Sequence, residues 1–521
     1  MAEAAAPERQ LKRALGPIHL TCIGIGAIIG AGIFALAGTA AAGEQVEASI
    51  WKTPILNFIN SWIAHSDLVF GRPGAGPAVM LSFMVAAVAC GFAALCYAEL
   101  ASMIPVSGSA YTYSYATLGE LIAWIIGWDL ILEYAVGNMA VAVGWSGYFV
   151  QLCSSFLGLK FPLWLVNDHA TAVGLIKQGG DALTNYSSTT LPAIGGHTIA
   201  INLPALLIVA AVTVLLVYGI RESAKTNTAI VVTKVAVVVF VIAFGAFMVH
   251  PVNWHPFMPT GIGGMMSGAA IVFFAFIGFD AVSTTAEETK NPQRDMPIGI
   301  IASLIICTVL YVLMAAVLTG MRKYTTYFGD SAAVATAFAG HWRAQALISA
   351  GALAGLSSVL LVFQLGQPRI FMAMARDGLL PQYFARIHPR FRTPHVTTIW
   401  TGVFVGGIAM LTDIGSLADL TNIGTLFAFI LVCLGVIILR RKDATRVRPF
   451  RVPLVPIFPL LGVLFCFVLM LSLPLETWGR FVVWLVIGLS IYFLYSVRHS
   501  KLRRGVDTGL TEDEPSPLIK T

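Results

Sequence analysis

Residues 19–43 read HLTCIGIGAIIGAGIFALAGTAAAG and carry Gly24, Gly26, Gly30 and Gly32 within an apolar, membrane-length run. Each interior glycine costs about 1 kcal/mol of helix stability relative to alanine. Backbone left unpaired in hydrocarbon is costlier still unless protein or ligand satisfies it. The pattern therefore predicts a spanning helix with a built-in break near residues 28–32. At such a break the N–H groups of Ala31 and Gly32 would open the outer half-helix, where the dipole favours a carboxylate, and the Ile28 carbonyl ending the inner half would accept from an amine. The two ends together suit a small zwitterion. The same glycines also fit close helix packing through small residues.

Ionisable side chains inside apolar sequence are the second signal. Lys234 stands in AIVVTKVAV, where a buried amine costs at least about 2.5–3.5 kcal/mol on insertion scales. It lies only about 9 Å from the predicted start of its span, so snorkelling to the inner surface is the alternative to burial. Asp129 and Glu133 are four residues apart and share a helical face. Glu133 and Asp280 are candidates for recognising a basic side chain or relaying a proton; a buried hydrogen bond or ion pair pinning helices is the competing role. Glu99 sits at the inner end of its span, where a structural gate contact is expected.

These residues need a membrane scaffold to position them. The 521-residue chain is 57% hydrophobic and only 11% charged, with mean hydropathy +0.81, against about 25% charged residues in ordinary soluble domains. Twelve apolar stretches approach the spanning length of about 20 residues, at 17–41, 77–100, 119–150, 201–220, 228–249, 263–284, 298–320, 346–375, 396–412, 417–439, 454–474 and 481–497. With the N-terminus inside, 22 of the 32 basic residues fall in tails and inner loops and eight in outer loops. The positive-inside rule then puts both termini in the cytoplasm. The net charge of +6 is a topology signal, with no support for nucleic-acid binding.

Other classes find little here. The seven cysteines form no CxxC pair and read as packing residues, so no metal site or cofactor is expected. No HExxH occurs among the ten histidines, and the glycine-broken spans carry only His19, at the very start of the first and away from its break, which argues against an enzyme. A channel would want a symmetric selectivity ring. The basic and apolar start imitates a signal peptide, but its long glycine-rich run predicts a retained first span. Asn185 is a formal glycosylation sequon.

The sixth apolar stretch, MSGAAIVFFAFIGFDAVST, carries Gly278 and then Asp280. It lies five spans after the first and would run the opposite way. That is the relation expected of inverted five-helix repeats whose discontinuous helices 1 and 6 meet at mid-membrane. The fold expected is an all-α membrane protein of 12 transmembrane helices, five plus five with helices 11 and 12 added. Its units would be 1–16 as a cytoplasmic tail, 17–249 and 250–439 as the two repeats, 440–497 as spans 11–12 and 498–521 as a second cytoplasmic tail. Outer loops 42–76 and 151–200 would cap the outer face, with amphipathic pieces such as residues 55–59. Among the four phenylalanines at 273, 274, 276 and 279, Phe273 and Phe276 fit lipid-facing bulk best.

The motifs GIGAIIGAGIF (24–34), GPA (76–78), YAEL (97–100) and PVSGSAY (105–111) resemble the amino acid, polyamine and organocation transporter superfamily. FDAVST (279–284), EETKNP (287–292), GQPR (366–369) and ARDGLLP (375–381) resemble its cationic amino acid transporter family, in the bacterial branch. The resemblance covers nearly all twelve spans and departs in the two long outer loops. It implies an amino acid held by Ile28, Ala31 and Gly32 together with the backbone of Phe274, Ala275 and Ile277, and a pocket lined by Leu356. A leucine at that place narrows the room and favours smaller neutral amino acids. The resemblance also places the Lys234 amine where sodium-coupled relatives hold a cation, with Ser357 and Ser358 as its neighbours. A lysine cation and sodium about 4 Å apart would repel by about 4 kcal/mol at an effective dielectric of 20. Uptake of neutral or cationic L-amino acids driven by protons is expected, with a passive uniporter or exchanger of cationic amino acids as the alternative. The partners implied are an amino acid, a proton and membrane lipid, with any small membrane-protein subunit unknown, in a bacterial inner membrane.

Overall fold

The computed structural model describes residues 15–43, 49–64, 68, 70–103, 111, 114–115, 118–179, 183, 185–219, 224–280, 282–283, 285, 289–391, 393–445, 447–501 and 503. Most of both tails, residues 105–110, Ala281, Thr284, Glu287 and Glu288 lie outside the described residues.

The chain is mostly helical. Helices α1 (Pro17–Ile28) and α2 (Ala37–Ala42) form the first apolar segment, joined through a π-helical turn at Gly32–Leu36. α3 (Ile55–Ala64) lies in the first long loop. α4 (Val79–Met103) and α5 (Glu120–Leu152) follow, then α6 (His169–Gln178) in the second long loop. The longer helices that follow are α7 (Leu203–Tyr218), α8 (Ala224–Ala246), α9 (Gly261–Val272), α10 (Pro292–Met321), α11 (Trp342–Arg376), α12 (His395–Ala409), α13 (Ile414–Lys442), α14 (Ile457–Leu471) and α15 (Leu475–Ile491).

Local chemistry sets the helix starts. Proline occupies the first turn of α1, α7 and α10, where its missing N–H costs nothing. Asp168, Asn202 and Asp413 accept from the backbone N–H of Thr171, Ala205 and Ser416 at 3.0, 3.2 and 2.8 Å, capping α6, α7 and α13.

Among the described residues, seven helices are long and apolar enough to cross a membrane, and the bent α1–α2 pair makes eight. Four shorter apolar helices, at Leu203–Tyr218, Gly261–Phe276, His395–Ala409 and Ile457–Leu471, accompany them. α5 is the central helix, buried along nearly its whole length, with α11 and α13 packed against it. Apolar side chains such as Val232, Ile305, Val403 and Val486 point away from the bundle, as lipid-facing residues do. The molecule is thus a multi-pass integral membrane protein. Several helices extend past their apolar runs: α10 begins at Pro292 and α11 ends at Arg376.

Candidate functional site: two broken helices packed back to back

The first predicted break is present. α1 ends at Ile28, Ile29 is extended (φ −72°, ψ 100°), and the second half departs at 43°. The second lies in the sixth apolar segment. α9 runs on as a 3-10 turn at Phe273–Phe276, Ile277 is extended (φ −60°, ψ 134°) and Gly278 has φ 116°. That last conformation is one that residues with a Cβ rarely adopt.

Glycine lets the two breaks touch. A Cβ on Gly32 would lie 2.2 Å from the Ala275 Cα, and one on Gly278 would lie 2.9 Å from the carbonyl carbon of Ala27. The contacts are reciprocal: the residue after each break presses on the residue before the other.

Carbonyls near the breaks are met by side chains from other helices. Lys234 on α8 donates from Nζ to the Gly26 carbonyl at 2.7 Å, and Tyr311 on α10 donates to that of Ile28 at 2.8 Å. Tyr148 on α5 reaches the Phe34 carbonyl at 2.6 Å. Asn422 on α13 donates to Ala270 and Ile271 at 2.7 and 3.3 Å. The Phe274 carbonyl accepts from the N–H of Ile277 at 3.3 Å. Tyr148, Tyr311 and Asn422 carry no charge to mark them in the sequence. Uncharged hydrogen-bonding groups inside apolar spans would have been the signal.

Lys234 is 1% exposed, so its amine points inward rather than snorkelling. Its stem lies against Gly355 of α11, where a Cβ would come within 3.2 Å of Cγ. Of the two serines, Ser357 accepts from Trp145 at 3.0 Å and donates to the Leu353 carbonyl, and Ser358 donates to that of Gly355 at 2.9 Å.

Glu133 and Asp280 share one small cavity with Ala27, Gly278, Val359 and Phe363. Its volume is about 10 Å³, room for a water molecule at most. Glu133 accepts from Thr425 at 2.9 Å. Asp129, one turn away, is buried without a hydrogen-bond partner for either oxygen. Leu356 is fully buried one turn before Val359. Glu99 accepts from Arg440 at 2.6 and 3.0 Å and from the Val452 N–H at 2.7 Å, tying the ends of α4 and α13 together.

One expectation is corrected. Phe273 and Phe276 are fully buried, edge-on to Phe429 and Tyr311 respectively, and do not face lipid. The break turns this stretch into the centre of the bundle, where every direction is inward.

The amino acid permease family matches residues 15–492. The chain belongs to that family. It is a transporter of the amino acid, polyamine and organocation superfamily and not an enzyme. It is 46% identical over 503 residues to the branched-chain amino acid permease BcaP of Bacillus subtilis (strain 168), covering 96% of this chain and 97% of that one. It is 42% identical to the methylthioribose transporter of the same organism, with 96% and 97% covered. Cationic amino acid transporter 2, vacuolar, of Arabidopsis thaliana is 40% identical over 83% of this permease and 60% of that protein.

Proposed function

We propose that this permease is a secondary active, proton-coupled amino acid transporter working by alternating access in a bacterial inner membrane, with both termini cytoplasmic. The reciprocal packing of Gly32 on Ala275 and Gly278 on Ala27 carries the reading. Two chain segments related in this way are what an inverted repeat produces, so 17–249 and 250–439 are taken as the repeats and 440–497 as the added spans. Eight long spans, counting the bent pair, and four shorter apolar helices fit a count of twelve.

The substrate carboxylate would sit at the N–H groups of Ala31 and Gly32, and its amine near the carbonyls of Ile28, Phe274, Ala275 and Ile277. The side chain would enter the cavity between Glu133, Asp280 and the Val359–Phe363 stretch. That cavity is too small for any amino acid side chain larger than a methyl group, so binding requires the helices to part. Its walls supply apolar surface for an aliphatic side chain and carboxylates for a basic one. The branched-chain permease among its relatives supports the first use, and the cationic transporter the second. Lys234 would be the proton switch: when the amine gains or loses its proton, the attraction between Nζ and the Gly26 carbonyl changes, and with it the hold on α1.

The test is uptake of a radiolabelled branched-chain amino acid into proteoliposomes, with a panel of unlabelled neutral and basic amino acids as competitors. Competition by either group supports the proposal. Failure of every amino acid to compete would remove the substrate class.

A further inference from the structure

The loop preceding α4 is stapled to the outer halves of both broken segments. Ala75 N–H donates to the Ala40 carbonyl at 2.9 Å, and Gly43 pairs with Pro73 as a β-bridge. Gly74 lies so close to α2 that a Cβ there would come within 2.3 Å of the Ala42 carbonyl carbon. Thr260, just before α9, donates to the Gly74 carbonyl at 2.5 Å. A Cβ on Gly268 of α9 would meet that of Ala75 at 2.7 Å. Apart from the Thr260 hydroxyl, these contacts are made by backbone and by the single methyl of Ala75, with no long flexible side chain to give way.

From this staple Arg72 reaches across to α13. Its guanidinium forms a two-pronged ion pair with Asp419, the Nη2–Oδ1 arm at 2.7 Å, and its Nε faces the Ser267 hydroxyl of α9 at 3.4 Å. The two ions are 2% and 3% exposed. Asn422, one turn further along α13, holds the Ala270 and Ile271 carbonyls of α9. The Asp419 and Asn422 attachments of α13 to this assembly are thus both made through side-chain tips.

We infer that Arg72 and Asp419 are the latch of the outer gate, with residues 71–76, α2 and α9 moving as one piece away from α13 when the pair parts. The inference rests on the alternating-access reading. A buried ion pair suits a reversible latch. Its mutual attraction is offset by the desolvation of both ions, so opening returns to them the hydration that closing removed. An apolar contact of the same size gains nothing from water, and a single unpaired charge cannot stay buried without penalty. Arg72 and Asp419 act here as positioning residues.

The latch is tested by the reactivity of a buried reporter, Ala35→Cys, on the outer half of the first segment, where Ala35 is fully buried. A membrane-impermeant, negatively charged methanethiosulfonate is applied from the loop side, and labelling of the seven native cysteines is subtracted using the same backgrounds without the reporter. Asp419→Asn leaves Arg72 buried against a neutral amide, its partner's whole charge lost, and the reporter is expected to react at least tenfold faster. Joint replacement by Arg72→Met and Asp419→Leu removes both charges, and the rate is expected at or below that of the parent. Equal rates in Asp419→Asn and parent would overturn the latch, as would a double variant as reactive as the single one. Reactivity is read whether or not the chain transports, so loss of uptake in the wild type would sink the transport reading separately.

Discussion

The Lys234 amine lies 2.7 Å from the Gly26 carbonyl, two residues before the helix carrying that carbonyl ends at Ile28. A charge placed on the last turn of a half-helix bears on the negative end of its dipole. Its hold on that half-helix therefore depends on whether it carries a proton, and the half-helix contributes directly to the contact with Gly278.

That contact makes the first prediction. Gly278→Ala forces a methyl group against the Ala27 backbone at a φ of 116° that alanine rarely adopts. Gly32→Ala meets the Ala275 backbone at 2.2 Å. Both are expected to reduce uptake at least tenfold, with a fall in melting temperature for Gly278→Ala. Gly91→Ala, on α4 with open space around it, should leave both values unchanged.

Asn422 offers a stability test. Asn422→Leu removes the side-chain donor to the Ala270 and Ile271 carbonyls, and a buried group losing its partner costs about 1–3 kcal/mol. Thermal unfolding in detergent should register the loss. Tyr311→Phe removes one bond to Ile28 and should cost about 1 kcal/mol, a smaller shift in the same measurement.

The sequence made the scaffold legible because its signals are local. Glycine at 24, 26, 30, 32 and 278 marks weakened helix, and Lys234, Glu133 and Asp280 stand out against apolar neighbours. What it hid depends on distance along the chain. Tyr311 and Asn422 are ordinary in their own helices and matter only because Ile28 and Ala270 lie opposite. Phe273 and Phe276 look like lipid-facing bulk until the break places them at the centre. No side chain in the sequence marks Gly355 of α11, which lies against the Lys234 stem and whose missing side chain is the room the lysine occupies. The ion pair of Arg72 with Asp419 joins residues whose numbers differ by 347, beyond the reach of any spacing rule.

Substrate choice is predicted to divide between the acids and the apolar wall. Glu133→Gln and Asp280→Asn should weaken competition by arginine and lysine at least fivefold, while leucine and valine lose less than half their effect. A uniform loss across the competitor panel would instead assign these carboxylates to the fold. Val359→Phe, filling the wall beside Gly30, should exclude branched side chains before alanine or glycine.

The most direct measurement is accumulation of radiolabelled amino acid in proteoliposomes under an outside-acidic pH gradient, for the wild type and Lys234→Ala. The wild type is expected to concentrate substrate while the gradient lasts, and the variant to lose at least nine-tenths of that accumulation. Equal gradient-driven accumulation in both would contradict the proton switch at Lys234, and a wild type indifferent to the gradient would contradict proton coupling itself.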